Sequence, residues 1–222
     1  MPVPERCVMY IDGYNFYYSI KQHPAATPLF LAWCNFRVLA ERYFVPSNTE
    51  LAVVKYFTAP VGHFGARGGE AGGEAGRQEL WLRAVRTIRR LDVIEGFHTG
   101  DRSSASSAPQ RARKEKETDV NVAVSMVVDA ARNEVDRLLL VTGDQDQLPA
   151  IRAVSGIFEK RVDIWLPPNQ AVGHWKYLNA MDGVSVGAIN REMLSRSRLP
   201  ERLEDADGAF EAPRAWRAPV KR

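Results

Sequence analysis

Glu117-Thr-Asp-Val-Asn-Val-Ala-Val-Ser-Met-Val-Val-Asp-Ala-Ala-Arg-Asn-Glu-Val-Asp-Arg-Leu-Leu-Leu-Val-Thr-Gly-Asp-Gln-Asp-Gln-Leu-Pro-Ala150 predicts a helix that opens on an acid, followed by a buried strand that ends on two more. At about 100° per residue, Asp119 falls on the wheel with Ala123, Met126 and Ala130, the apolar side. Asn121, Ser125, Asp129 and Arg132 gather opposite, as a solvated face should. An inward Asp119 needs a partner, because an unpaired buried charge is very costly. Leu138-Leu-Leu-Val141 is short enough for a strand and continuous enough to be covered on both faces. The turn Thr142-Gly-Asp-Gln-Asp146 then lies at the carboxyl end of that strand, where ligands bind in open α/β sheets.

Working outward, the pattern repeats at the start of the chain. Cys7-Val-Met-Tyr-Ile11 is an apolar strand ending on Asp12-Gly-Tyr-Asn-Phe-Tyr17, with a helix expected over 14–21. Gly13 permits a sharp turn there. A second helix is expected over 33–43, and Leu51–Thr58 is a strand rich in β-branched and aromatic residues. Glycines at 62, 65, 68, 69, 72, 73 and 76 mark a flexible insertion over about 61–76, without a P-loop or G-x-G-x-x-G pattern.

Residues 78–91 predict an amphipathic helix with Leu80, Trp81, Ala84, Val85, Ile88 and Leu91 in one stripe. Arg83, Arg86 and Arg90 lie opposite, either as a solvated face or as contacts to a phosphate backbone. A strand over 92–98 leads into a Ser-rich insertion over 99–114. Its end carries Arg111, Arg113 and Lys114, with Lys116 just beyond, either a connector or a guide for a nucleic-acid strand.

Beyond the quoted stretch, a helix over 148–158, a strand over 161–166, a weak strand over 184–186 and short helices over 172–178 and 187–195 complete a domain spanning 1–200. Residues 201–222 read as a polar tail. Strands alternating with helices predict an α/β fold, a three-layer α/β/α sandwich on a mainly parallel sheet of roughly five strands.

With 222 residues there is chain enough for a full core, and a net charge of +3 from 30 basic and 27 acidic residues argues against a histone-like binder, although uneven placement of charge could still favour an anionic partner. Two cysteines, Cys7 and Cys34, make no disulfide framework. No apolar run reaches the roughly 18 residues of a membrane span, and Met1-Pro-Val-Pro-Glu-Arg does not read as a signal peptide. A cytoplasmic protein without a membrane partner is expected. Self-association is left open.

If right-handed crossovers hold, Asp12, Asp119, Asp144 and Asp146 converge on one sheet edge. Four carboxylates repel unless cations hold them, and oxygen-only ligands suit Mg²⁺ or Mn²⁺. Such ions activate water and offset charge in phosphodiester attack. His23, His63, His98 and His174 are too scattered for zinc. Each acid also has a plainer reading: Asp12 and Asp144 as turn formers, Asp146 as a helix cap. Asn15 caps a helix or meets a phosphate, and Thr142 orients a carboxylate or merely ends a strand.

Tyr10-Ile-Asp-Gly-Tyr-Asn-Phe-Tyr17, Lys116-Glu-Thr-Asp-Val-Asn-Val-Ala123 and Leu140-Val-Thr-Gly-Asp-Gln-Asp146 resemble, in order, the motifs of the NYN domain family of PIN-like nucleases. The resemblance implies a three-layer fold and a metal-dependent ribonuclease acting on RNA, most simply single-stranded. Asp12, Asp119, Asp144 and Asp146 match the family's acids and Asn15 its asparagine, while Gln145 departs from the more common serine. A catalytically weak RNA-binding or regulatory module acting through partners is the alternative.

Overall fold

The computed structural model describes residues 4–59, 73–98 and 115–219. The chain runs β1 (Glu5–Asp12), α1 (Gly13–Lys21), α2 (Phe36–Tyr43), β2 (Thr49–Thr58), α3 (Glu74–Arg86), β3 (Leu91–Glu95), β4 (Phe97–His98) and β5 (Glu115–Lys116). It continues through α4 (Thr118–Ala131), β6 (Arg137–Val141), α5 (Leu148–Gly156), β7 (Arg161–Leu166), β8 (Val184–Ala188), α6 (Arg191–Arg196), β9 (Arg202–Asp205) and β10 (Gly208–Glu211).

Six strands form one sheet in the order β3-β2-β1-β6-β7-β8, every pair parallel. The expected α/β sandwich is present, with one strand more than the rough five, because the weak 184–186 segment extends to Ala188 and pairs with β7. Strand alternation explains the layers. Cys7, Met9 and Ile11 of β1, with Leu139 and Val141 of β6, enter one core; Val8, Tyr10, Leu138 and Leu140 enter the other. Both faces are covered, so the strands are apolar throughout. The first core packs α1, α2, α3 and α6, and the second packs α4 and α5.

Several local expectations shift. The helix expected over 33–43 begins only at Phe36, where Asn35 caps α2 by accepting from the Val38 N–H at 3.1 Å, and a 3-10 turn at Leu29–Ala32 precedes it. The strand over 92–98 divides into β3 and β4, the latter pairing with β5. Helix α3 begins at Glu74, earlier than the first stripe residue, and ends at Arg86.

The tail over 201–222 is the larger correction. Strands β9 and β10 form an antiparallel hairpin, and Phe210, Ala212 and Trp216 are buried in the first core. Arg83 clamps it with two bonds to Asp205, at 2.8 and 2.7 Å, and its guanidinium lies 4.3 Å from the centre of the Phe210 ring. The insertions expected over 61–76 and 99–114 lie largely outside the described residues. Among the described residues no helix is long and apolar enough to cross a membrane.

Candidate active site

Strand order reverses between β1 and β6, since the connection from β1 leads to β2 on one side while β6 lies on the other. The crevice outside their carboxyl ends is the place where doubly wound sheets bind ligands. Its floor is a set of mutual hydrogen bonds. Asp12, 3% exposed, caps α1 by accepting from the Asn15 N–H at 2.9 Å, and its other oxygen accepts from the Thr142 hydroxyl at 3.1 Å. Thr142 in turn accepts from the Asp144 N–H at 3.1 Å, and the Asn15 carboxamide oxygen accepts from the Gly143 N–H at 2.7 Å. Asn15 and Thr142 therefore fasten the ends of β1 and β6 together.

Asp144 caps the turn Gln145–Gln147 by accepting from the Asp146 N–H at 3.0 Å. The cap is Asp144, and Asp146, for which a cap was the plainer of two readings, is exposed. Helix α4 runs back against the sheet and brings its first turn to the same edge. There the Gln147 amide donates to the Asp119 carbonyl at 3.0 Å. Asp119 does not face the core as its wheel position suggested: Thr118, Val122, Met126, Asp129 and Ala130 do. It reaches solvent, yet loss of water around it, then the charges of Asp144 and Asp146, push its carboxyl above the ordinary aspartate range.

The wheel also misplaced Asp129. It is buried beneath α4, accepting from the Tyr10 hydroxyl at 2.5 Å and paired with Lys55 at 2.6 Å. Burial, then the bond to Asp129, push the Tyr10 hydroxyl well above the ordinary phenol range.

The acids share an edge but are not arranged as a metal cage. Among the described residues no three His, Cys, Asp or Glu side chains stand close enough to hold one ion, and both Asp12 oxygens are engaged by the fold. A dinucleotide does not fit the crevice either. Its pyrophosphate would sit on the N-terminus of α1, where the Asp12 carboxylate already lies. Room at Gly13 is taken too: a Cβ there would meet the Phe57 carbonyl and the Tyr56 ring at 2.6 Å.

The arginines expected to hold a phosphate backbone are answered by acids of this chain. Arg83 pairs with Asp205, Arg86 with Glu95 at 2.5 Å and Arg90 with Glu50 at 3.3 Å. Arg113 and Lys114 lie outside the described residues, and Lys116 is described only as backbone in β5.

Beside Asp12 the edge opens into a small cleft between α1 and α3, with a cavity volume of about 60 Å³. Its walls are the rings of Tyr14, Tyr17, Tyr18, Tyr56, Trp81 and Trp216. Arg77 and Gln78, both on α3, add the polar contacts. Tyrosines at 14, 17 and 18 follow helical spacing, a signal present in the sequence. Trp216 gave none, because its place depends on the hairpin.

No protein-family model matches the chain. It is 28% identical over 193 residues to 6-hydroxy-3-succinoylpyridine 3-monooxygenase HspA of Pseudomonas putida, an alignment taking in 74% of this chain and 60% of that protein. The chain thus spans less than two thirds of the relative's length. In structure it resembles a Vibrio parahaemolyticus protein of unknown function, with a TM-score of 0.54 and 14% identity over 84% of this chain and 94% of that one, a likeness of fold.

The monooxygenase relative overturns the expectation of a metal-dependent ribonuclease, a hydrolase. The Mg²⁺ or Mn²⁺ cofactor falls with it, in keeping with an acidic edge that does not gather into a metal cage among the described residues.

Proposed function

We propose that the protein is an oxidoreductase of the monooxygenase kind, acting on a small hydroxylated aromatic ring at the carboxyl edge of β1 and β6. The relationship to HspA, whose name specifies a hydroxylated pyridine and a monooxygenase reaction, carries this reading. The aromatic cleft supports it, since stacked and edge-on ring contacts favour a planar aromatic guest. In such a reaction one atom of O₂ enters the substrate, the other leaves as water, and a two-electron donor supplies the reducing equivalents.

The chain's own part is to bind the ring, exclude water and take a proton. Asp119, whose carboxyl is held above the ordinary range by desolvation and by Asp144 and Asp146, is the acceptor for the ring hydroxyl proton. Asp12, Asn15 and Thr142 keep the two strand ends in register beneath it. We further propose that the motifs around Asp12, Asp119 and Asp144 are NYN-family scaffold positions, here put to an oxidative use. The cytoplasm is the compartment we assign, supported by two free, buried cysteines.

The experiment supplies 6-hydroxy-3-succinoylpyridine, a reduced nicotinamide nucleotide and ¹⁸O₂, with and without free flavin. One ¹⁸O per product, with donor oxidation that depends on substrate, is expected, and Asp119→Asn should slow it by about 10²-fold. Substrate recovered without label under every condition would defeat the proposal.

A further inference from the structure

We infer that the outer face of α4 is a self-association surface, where a second copy of this chain docks its own α4 antiparallel about a two-fold axis near Val124.

A helix that covers a sheet ordinarily turns its polar side to water. Helix α4 does not. Its buried side is Thr118, Val122, Met126, Asp129 and Ala130. At about 100° per residue, the opposite direction falls on Val120, Val124 and Ala131, with Val127 and Val128 beside them. Val120 is 61% exposed and Val124 53%. Tyr18, Ile157 and Tyr177 are exposed as well, but each stands apart in the chain, whereas these two valines lie one turn apart on one helix. Asp129, expected on the solvated side, is beneath the helix, and the polar Asn121 is left to flank the stripe.

The sheet beside α4 continues the apolar surface. Helix α4 packs on β1 and β2 and meets α5 along one flank. On the other flank β2 and β3 present Val53 and Ile94 to the second core, and both are only partly buried. The helix that packs on β3 is α3, which does so from the first core, across the sheet.

Charge identifies what covers this face. Glu117 and Asp119, both exposed, stand at the N-terminal end of α4. At its C-terminal end are Arg132, also exposed, and Lys160, whose ammonium lies 2.5 Å from the Asn133 carboxamide oxygen, against the one acid Glu134. A two-fold axis at Val124 sets Val124 against itself, Val120 against Val128, and Glu117 against Ala131, next to Arg132 of the second copy. The acidic end of each helix then lies along the basic end of the other, and the two helix dipoles oppose each other. A lipid surface or a nucleic acid would call for basic residues along the whole helix. A stripe acidic at one end and basic at the other complements itself. Valine and alanine at its centre also let the helix axes approach to roughly 8–10 Å.

Size sets the strength. A helix of 14 residues is about 21 Å long, too short to bury alone the roughly 800 Å² per partner of a standard interface. The dimer is therefore weak, dissociating on the order of 10–100 µM. Each copy's crevice lies at the N-terminal end of its α4, so the two crevices open at opposite ends of the pair.

The test is sedimentation equilibrium of the full chain over about 1–500 µM, which brackets that affinity. The wild type should pass from monomer to dimer and no further. Val124→Glu places two carboxylates on the axis and should weaken association at least about tenfold, with an unchanged circular dichroism spectrum. Arg132→Glu should also weaken it, and adding Glu117→Arg should restore it. A short bis-maleimide should cross-link the Val124→Cys protein to itself but not the Ile157→Cys protein, which is 74% exposed at the wild-type residue. Cys7 and Cys34 are buried and give no background. A chain that stays monomeric over the whole range would overturn the assignment. So would a dimer indifferent to Val124→Glu, a charge-swapped double variant no stronger than Arg132→Glu alone, or cross-linking through position 157 instead of 124.

Discussion

Asp119 shows how the field around one carboxylate decides its role. Its folded pKa is raised, so the folded state holds the proton more tightly than the unfolded chain does. The stability linked to this group is present below the unfolded value near 3.8 and is lost as pH rises through the elevated folded value. Asp119→Asn should therefore melt at pH 7 no lower than the wild type. Carboxyl NMR should find Asp119 titrating above 3.8, and lower in an Asp144→Asn, Asp146→Asn double variant. An unshifted wild-type titration would remove the proposed proton acceptor. Asp129 is the opposite case, a buried acid satisfied by Lys55 and Tyr10. Lys55→Met leaves that charge without its cation and should cost on the order of 3 kcal/mol in urea unfolding. Adding Asp129→Leu should recover a large part of the loss; if the single variant is neutral, the pair does not stabilise the sheet.

The C-terminal hairpin is not an appendage at the scale of elements. It delivers Trp216 against Trp33, Trp81 and Tyr17, with ring centres 5.6–5.9 Å apart, and so completes both the first core and one wall of the cleft. Trp216→Ala should lower stability by about 3–5 kcal/mol, measured by denaturant unfolding. The polar letters of 201–222 hid this role: the hairpin strands alternate exposed residues with Leu203 and Phe210, too few apolar positions to signal a core element. The α4 reading failed for a related reason. At its N-terminus the helix stands at the sheet edge, so the wheel's inward side opens there onto a crevice rather than a core.

Taken whole, the molecule is one sheet whose middle strands feed both cores. Neither layer can keep its packing without β1 and β6, so unfolding should be a single cooperative step. Thermal melts followed by far-ultraviolet circular dichroism should coincide with those followed by tryptophan fluorescence. Trp33, Trp81 and Trp216 report mainly on the first core, whereas the backbone signal reports on both. Two separated transitions would show that the layers fold independently.

The amino-acid order by itself determined the α/β architecture. Continuous apolar runs at 7–11 and 138–141 can only be strands covered on both faces, and each ends on a Gly-Asp or Asp-Gly turn that marks the ligand edge. What those turns do was decided by tertiary structure. A carboxylate's role depends on the groups that three-dimensional packing sets within a few ångströms of it, and no spacing along the chain reports them. Asp12 became a cap, Asp119 an exposed acid at the rim whose carboxyl is raised by desolvation and by Asp144 and Asp146, and Asp129 a buried ion-pair partner. Packing alone also brought Tyr14, Trp81 and Trp216, far apart in the chain, to the walls of one cleft.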